Sequence, residues 1–219
     1  MINFAADLEI MSDNKKEYIL DKATELFAEH GYEGTSTRML SKSAGVNIAM
    51  ISYYFGSKEK LFEQVLIRKT ASSYEQLKAL QAMDISPWEK LEIVIDMNVD
   101  RVAKNCEFHR LIYRQISLQQ RTGMNQIIIE SIMRNATITA EIIKDGIEKK
   151  VFRDVDINLT LASIHGTVSQ LTVSYPLSCK MIGIPEDKDF ISKEPYKSRL
   201  KEHLKKMIKA HLAIDKPLK

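Results

Sequence analysis

Apolar side chains recur along this chain at helical spacing, and glycine, proline and serine or aspartate caps punctuate them. Ile19, Ala23, Leu26 and Phe27 stand at i, i+4, i+7 and i+8, one face of a helix predicted from about Asp13 to His30 and ended by Gly31. Two short helices follow, Thr37 to Ala44 and Asn47 to Tyr54, joined at Gly45, where glycine reaches positive φ without steric cost. Ser57 caps a longer helix to about Met83. Its early apolar residues, Leu61, Phe62, Val65 and Leu66, serve a small N-terminal core, and Tyr74, Leu77 and Leu80 serve a second one. Ser86-Pro87-Trp88-Glu89 is a capping box with proline at the first helical position, opening a helix to about Lys104. Further helices are expected over Glu107 to Gln120, with a break at Gly123, over Asn125 to Lys149, and from the Asp156 cap to Tyr175, stopping before Pro176. Residues 177–194 read as a loop, Pro195 to Ala213 as a last helix, and Lys216 to Lys219 as a frayed tail. No strand pattern or repeat stands out. The fold class is therefore all-α, about nine helices in two units, residues 13–66 and 67–215.

The short pair around Gly45 has the shape of a helix-turn-helix, whose second helix enters the major groove. Val46, Ile51 and Phe55 share one side of that helix and can pin it to its neighbours. Asn47, Ile48, Ala49, Met50 and Ser52 then point outward. An ordinary surface helix carries glutamate and lysine there. Small, apolar and amide side chains suit base edges and thymine methyls instead. Thr37, Tyr53, Tyr54 and Lys58 flank this edge and can bond phosphates.

Charge supports a local rather than a global nucleic-acid surface. The net charge is only +3, but residues 36–70 hold six basic side chains against two acidic ones. The C-terminal residues 188–219 hold ten basic against four acidic, spread around a helix as on a solvated face. Cys106 and Cys179 follow no metal spacing and fit buried thiols in a reducing cytoplasm. No apolar run approaches the ~18 residues of a membrane span. The first residues carry Asp7, Glu9 and Asp13 without an early basic cluster, unlike a signal peptide, and Met11 is a second candidate start. Nucleophile elbows, zinc-binding His-Glu-x-x-His and phosphate-binding glycine loops are missing, so neither an enzyme nor a cofactor or metal is expected.

Residues 19–66 resemble the N-terminal domain of the TetR family of bacterial transcriptional regulators. The resemblance rests on Ala23, Leu26, Phe27, Gly31, Tyr32, Thr35 and Thr37, then Ala44-Gly45-Val46, Tyr53-Tyr54-Phe55, Ser57-Lys58 and Leu61-Phe62. It implies a homodimeric repressor that binds a palindromic operator in double-stranded DNA and is released by a small molecule. It places Thr37, Tyr53, Tyr54 and Lys58 on phosphates, and Arg38, Asn47, Ile48, Ala49 and Met50 nearest the bases. Ser52 stands where the family usually has a larger, often aromatic residue.

It also implies an effector pocket in the C-terminal helices. His109, Tyr113, Arg114, Asn135, Thr139 and His165 fall near predicted inward faces, and with Trp88 they are the candidate lining. Apolar dominance and the methionines favour a lipophilic effector. The helix opened by Asp156 carries Ile164, Val168, Leu171 and Tyr175 beside small Ala162, Gly166 and Ser169. With Leu200, Leu204, Met207, Ile208 and His211 of the last helix these suggest a four-helix dimer interface, as the family uses. Two alternatives stay open at this level: a DNA-binding dimer without a small-molecule inducer, partner-regulated or architectural, and a helical binding or catalytic module with a vestigial motif.

Overall fold

A computed structural model describes the backbone of residues 4–118 and 122–214, and the side chains of 14–117 and 123–214. It contains ten α-helices and, among the described residues, no strand. These are α1 Phe4–Gly34, α2 Thr37–Ser43, α3 Ile48–Phe55, α4 Lys58–Gln81, α5 Pro87–Lys104, α6 Cys106–Leu118, α7 Thr122–Glu148, α8 Ile157–Val173, α9 Tyr175–Ile182 and α10 Tyr196–Leu212. Caps fall where small polar side chains allow them. Ser36, Asn47, Ser57, Ser86 and Asp156 each accept a backbone N–H of the helix they open. The Ser86 and Glu89 pair forms a complete capping box.

Two apolar clusters organise the packing. The N-terminal one joins Ile19, Ala23 and Phe27 of α1 to Leu40, Ile51, Phe55, Leu61 and Phe62. Phe27, Tyr32 and Phe62 form its aromatic centre, with ring centroids 4.8 to 5.9 Å apart. Phe108, Leu111 and Ile112 of α6, with Met124 and Ile128 of α7, complete this cluster, so α1 rests on α6. The second cluster lies between α5, α7, α8 and α10 and the far end of α4. Leu77 and Leu80 of α4 belong to it, whereas Leu61, Phe62, Val65 and Leu66 belong to the first.

Several elements differ from the sequence expectation. α1 begins at Phe4 rather than Asp13, while Gly31, expected to end it, does leave helical geometry, with φ at 75°. Gly123 lies inside α7 instead of breaking the helix before it; residues 119–121 and the expected C-terminal tail lie outside the described residues. The largest correction concerns residues 177–194. Helix α8 stops at Val173, and Pro176 sits in the first turn of a new helix, α9, instead of ending the old one. Proline lacks an N–H, but the first turn of a helix has no carbonyl waiting for it, so proline starts helices as readily as it stops them. Gly183 then closes α9 at φ 74°. Phe190 and Ile191, in a short 3-10 turn, are buried against α5 and α10.

Candidate nucleic-acid interface and effector cavity

The turn between α2 and α3 is built from the chain's own backbone. The amide of Val46 donates to Ser41 O at 2.9 Å and that of Gly45 to Lys42 O at 3.2 Å, with Gly45 at φ 60°. Ile51 and Phe55 are 1% and 3% exposed, and they lock α3 by its inner face. Its outer face is open. Asn47, Ala49 and Ser52 are exposed, Ile48 is 43% and Tyr53 82% exposed, and Met50 is half-buried. The carbonyl oxygen of Asn47 caps Ala49 N at 3.0 Å, leaving its amide donors for other work. Arg38 is exposed on α2, Thr37 is half-buried beside it, and Tyr54 packs edge-on against Tyr53 while covering the N-terminal core.

Lys58 departs from its expected place on a phosphate. Its ammonium donates to Tyr32 O at 3.0 Å and Thr35 O at 2.9 Å, and it lies 4.2 Å from the Tyr32 ring. These two bonds tie the start of α4 to the α1–α2 turn. Thr35, fully buried, closes the same corner by donating to Leu26 O and Gly31 O.

Between α4, α5, α7 and α8 lies a cavity of about 450 Å³, a size usual for small-molecule sites. Leu77, Val94, Met97 and Ile164 give it apolar walls, and Asn135, Thr139 and His165 face it as expected. A second lobe of about 80 Å³ brings in His109 and Tyr113 of α6 and shares Arg101, Asn135 and His165 with the first. Five of the seven candidate lining residues therefore come together. Two do not. Trp88 packs edge-on against Phe152 at 4.5 Å within the core. Arg114 is exposed, and its guanidinium points to the region beside Gly31.

The sequence reading missed Asn98 and Arg101. Asn98 continues the buried stripe of Leu91, Val94 and Ile95 on α5, and that register was the signal available for it; Arg101 lies half-buried beside the stripe. Arg101 donates to Asn98 Oδ1 at 2.7 Å, and among the described residues no carboxylate lies within 4 Å of it. The acids one residue and five residues before it are paired with lysines of α10: Asp100, which also lines the cavity, with Lys201 at 2.7 Å, and Asp96 with Lys205 at 2.6 Å. Burial pulls the pKa of Arg101 below the ordinary arginine value. Burial, followed by the Arg101 charge, pushes His109 down to about 3 and His165 down to about 4, so both imidazoles are neutral. Asn98 Nδ2, His109 Nε2 and Asn135 Oδ1 are buried without a hydrogen-bond partner.

The expected dimer residues are placed differently. Ile164 and Val168 of α8 and Leu200, Leu204 and Ile208 of α10 are buried in the second core of this one chain, because α10 lies along α5 and α8 along α6 and α7. Leu171, Tyr175 and Met207 are half-buried against that core. His211 is held to Thr160 of the same chain at 3.0 Å. The open face of α8 is a different one, made by Leu159, Ala162, Ser163, Gly166, Gln170 and Val173, and α9 extends it with Leu177 and Met181. A Cβ at Gly166 would meet nothing within 4 Å.

Among the described residues no helix is long and apolar enough to cross a membrane, and no cluster of acids, histidines and cysteines could hold a metal.

The profile of "Bacterial regulatory proteins, tetR family" matches residues 19–65. The HTH-type transcriptional repressor NicS of Pseudomonas putida is 30% identical over 153 residues, covering 69% of this chain and 71% of NicS. The fatty acid metabolism regulator protein of Bacillus subtilis is 26% identical over 173 residues, covering 77% of this chain and 88% of its own. Among solved structures, the transcriptional regulator FadR from Bacillus subtilis in complex with stearoyl-CoA superposes with a TM-score of 0.67 at 24% identity, over 86% of this chain and 96% of FadR, a shared fold. The motif around Gly45, its exposed outer edge and a repressor related across most of both sequences agree: this chain belongs to the TetR family of bacterial transcriptional regulators.

Proposed function

We propose that the protein is a cytoplasmic homodimeric repressor, not an enzyme, that binds a palindromic operator and leaves it when a small effector enters the C-terminal cavity. One observation carries the DNA half: α3 is locked by buried Ile51 and Phe55 while Asn47, Ile48 and Ala49 are left to solvent. Arg38, Asn47, Ile48, Ala49 and Met50 read bases, and Thr37, Tyr53 and Tyr54 bind phosphates. Lys58 holds the frame on which they stand.

The effector half rests on α4. It begins against the motif, and Leu77, near its other end, lines the cavity. An effector can change DNA affinity only through a difference in its own affinity for two conformers. Movement of α4 relative to α7, its most extensive partner, is the change proposed. Relatives that regulate fatty acid metabolism, one of them solved with stearoyl-CoA, support an effector with a long apolar body. Two protomers meet through the open face of α8 and α9 and read half-sites one or more helical turns apart.

The test is Ala49→Asp. An acid in the first turn of a helix is compatible with its dipole, so the fold should melt as wild type does. A negative charge at the groove should abolish binding to fragments recovered from genomic DNA with the wild-type protein. Arg38→Ala should weaken binding by about 1–3 kcal/mol and relax the preference at the base it contacts. Wild-type affinity and sequence preference in both variants would refute the assignment.

A further inference from the structure

We propose that the effector is an organic acid, and that Arg101 binds its carboxylate inside the cavity while the apolar walls hold its body. This rests on the reading of that cavity as the effector site.

A guanidinium half-buried in a cavity wall is costly unless its donors and its charge are answered. Here the charge is not answered from within the chain. One donor of Arg101 goes to the neutral amide of Asn98, and no carboxylate of a described residue is in reach. The acids nearest in sequence, Asp96 and Asp100, are engaged by Lys205 and Lys201 of α10. Lys69 of α4 faces the same space, makes no ion pair among the described residues and lies 5.9 Å from the Phe108 ring. Lys104 lines it as well and, among the described residues, makes no ion pair, so the lining is net positive, its one acid, Asp100, being held by Lys201. A planar guanidinium fork matches a carboxylate with two parallel hydrogen bonds. Asn98 Nδ2 is a buried donor without an acceptor, which a carboxylate would supply.

The two histidines facing the cavity fit the same ligand. His109 and His165 are neutral, so one ring nitrogen of each can donate without adding to the positive charge. Leu77, Val94, Met97 and Ile164 lie around the same space and can enclose a hydrocarbon or aromatic portion. An amine would meet Arg101 and Lys69 as like charges. A neutral alcohol would leave the guanidinium as unanswered as it is now. The bound acid would also contact both α4, through Lys69, and α5, through Arg101.

The experiment is calorimetric titration and thermal melting of the full-length protein with straight-chain carboxylates from butanoate to dodecanoate, with benzoate and phenylacetate, and with the matching alcohols and amines. Decanoyl-CoA, which carries phosphates but no free carboxylate, is included. Wild type and Arg101→Met are compared. At least one carboxylate should bind wild type, and its alcohol should bind about 30-fold more weakly or worse. Arg101→Met should lose that preference, and without ligand it should melt above wild type, because a buried unpaired charge has been removed. If alcohols bind as tightly as acids, or the thioester binds best and Arg101→Met changes nothing, the acid assignment is overturned while the effector cavity stands. If no compound of any charge binds a protein that still holds DNA, the cavity is not an effector site and both readings fall.

Discussion

His109 and His165 stand in the same cavity as neutral rings, with Arg101 acting on both and Arg110 on His109. Their folded pKa values, about 3 and about 4, lie below the ordinary value of 6.5 that the unfolded chain regains. Above pH 6.5 neither state binds these protons and the pair has no effect on stability. As pH falls below it, the unfolded chain takes up protons that the folded one refuses, so stability is lost down to the folded values. At pH 5.5 the loss from the two rings should be about 2–3 kcal/mol. Urea unfolding of wild type and of the double variant His109→Gln, His165→Asn at pH 7.5 and 5.5 measures it. The variant should lose less on acidification, and equal losses would show that the rings do not titrate this way. The two histidines, Asn135 and Thr139 were legible in the sequence because polar side chains at inward register are unusual. Arg101 was not, since arginine on an amphipathic helix ordinarily reaches solvent and the local pattern does not reveal which face of α5 the cavity takes.

Helix α7 shows how an element can be fixed by one residue near its end. Gly146 lies four residues before the left-handed turn at Lys150, where φ is 56°, and the Phe152 ring lies over it. A side chain at Gly146 would occupy the position of that ring, which is itself buried against Trp88. Gly146→Ala should therefore destabilise the protein by about 1–3 kcal/mol, read as a lower melting midpoint, while leaving DNA contacts untouched. Wild-type melting would mean that the ring moves aside freely. The regular elements were legible wherever caps and periodicity agreed, as in α2 to α5, with Ser36, Asn47, Ser57 and Ser86 at their starts. They were illegible at Pro176, because a proline marks a boundary without saying on which side the helix lies. The same ambiguity hid α9 inside an expected loop.

For the molecule as a whole, apolar periodicity distinguishes inside from outside but not one neighbour from another. Ile164, Val168, Leu200, Leu204 and Ile208 form good stripes, and the chain uses them on itself. What remains for a second copy is Leu159, 66% exposed, Met181, 76% exposed, and the small residues between them. Double substitution Leu159→Glu, Met181→Glu should convert the dimer to a folded monomer in sedimentation at micromolar concentration and remove cooperative operator binding. A dimer that survives would place the axis elsewhere. The seating of α1 upon α6 has its own consequence. Phe108, Leu111 and Ile112 fill the underside of the cluster that holds the motif, though they lie more than forty residues beyond it in sequence. Grafting the first 66 residues onto another regulator would leave that underside to be matched by a foreign α6. The transplantable piece is thus discontinuous, and a chimera that keeps this operator preference must carry the α6 surface along with the reading head.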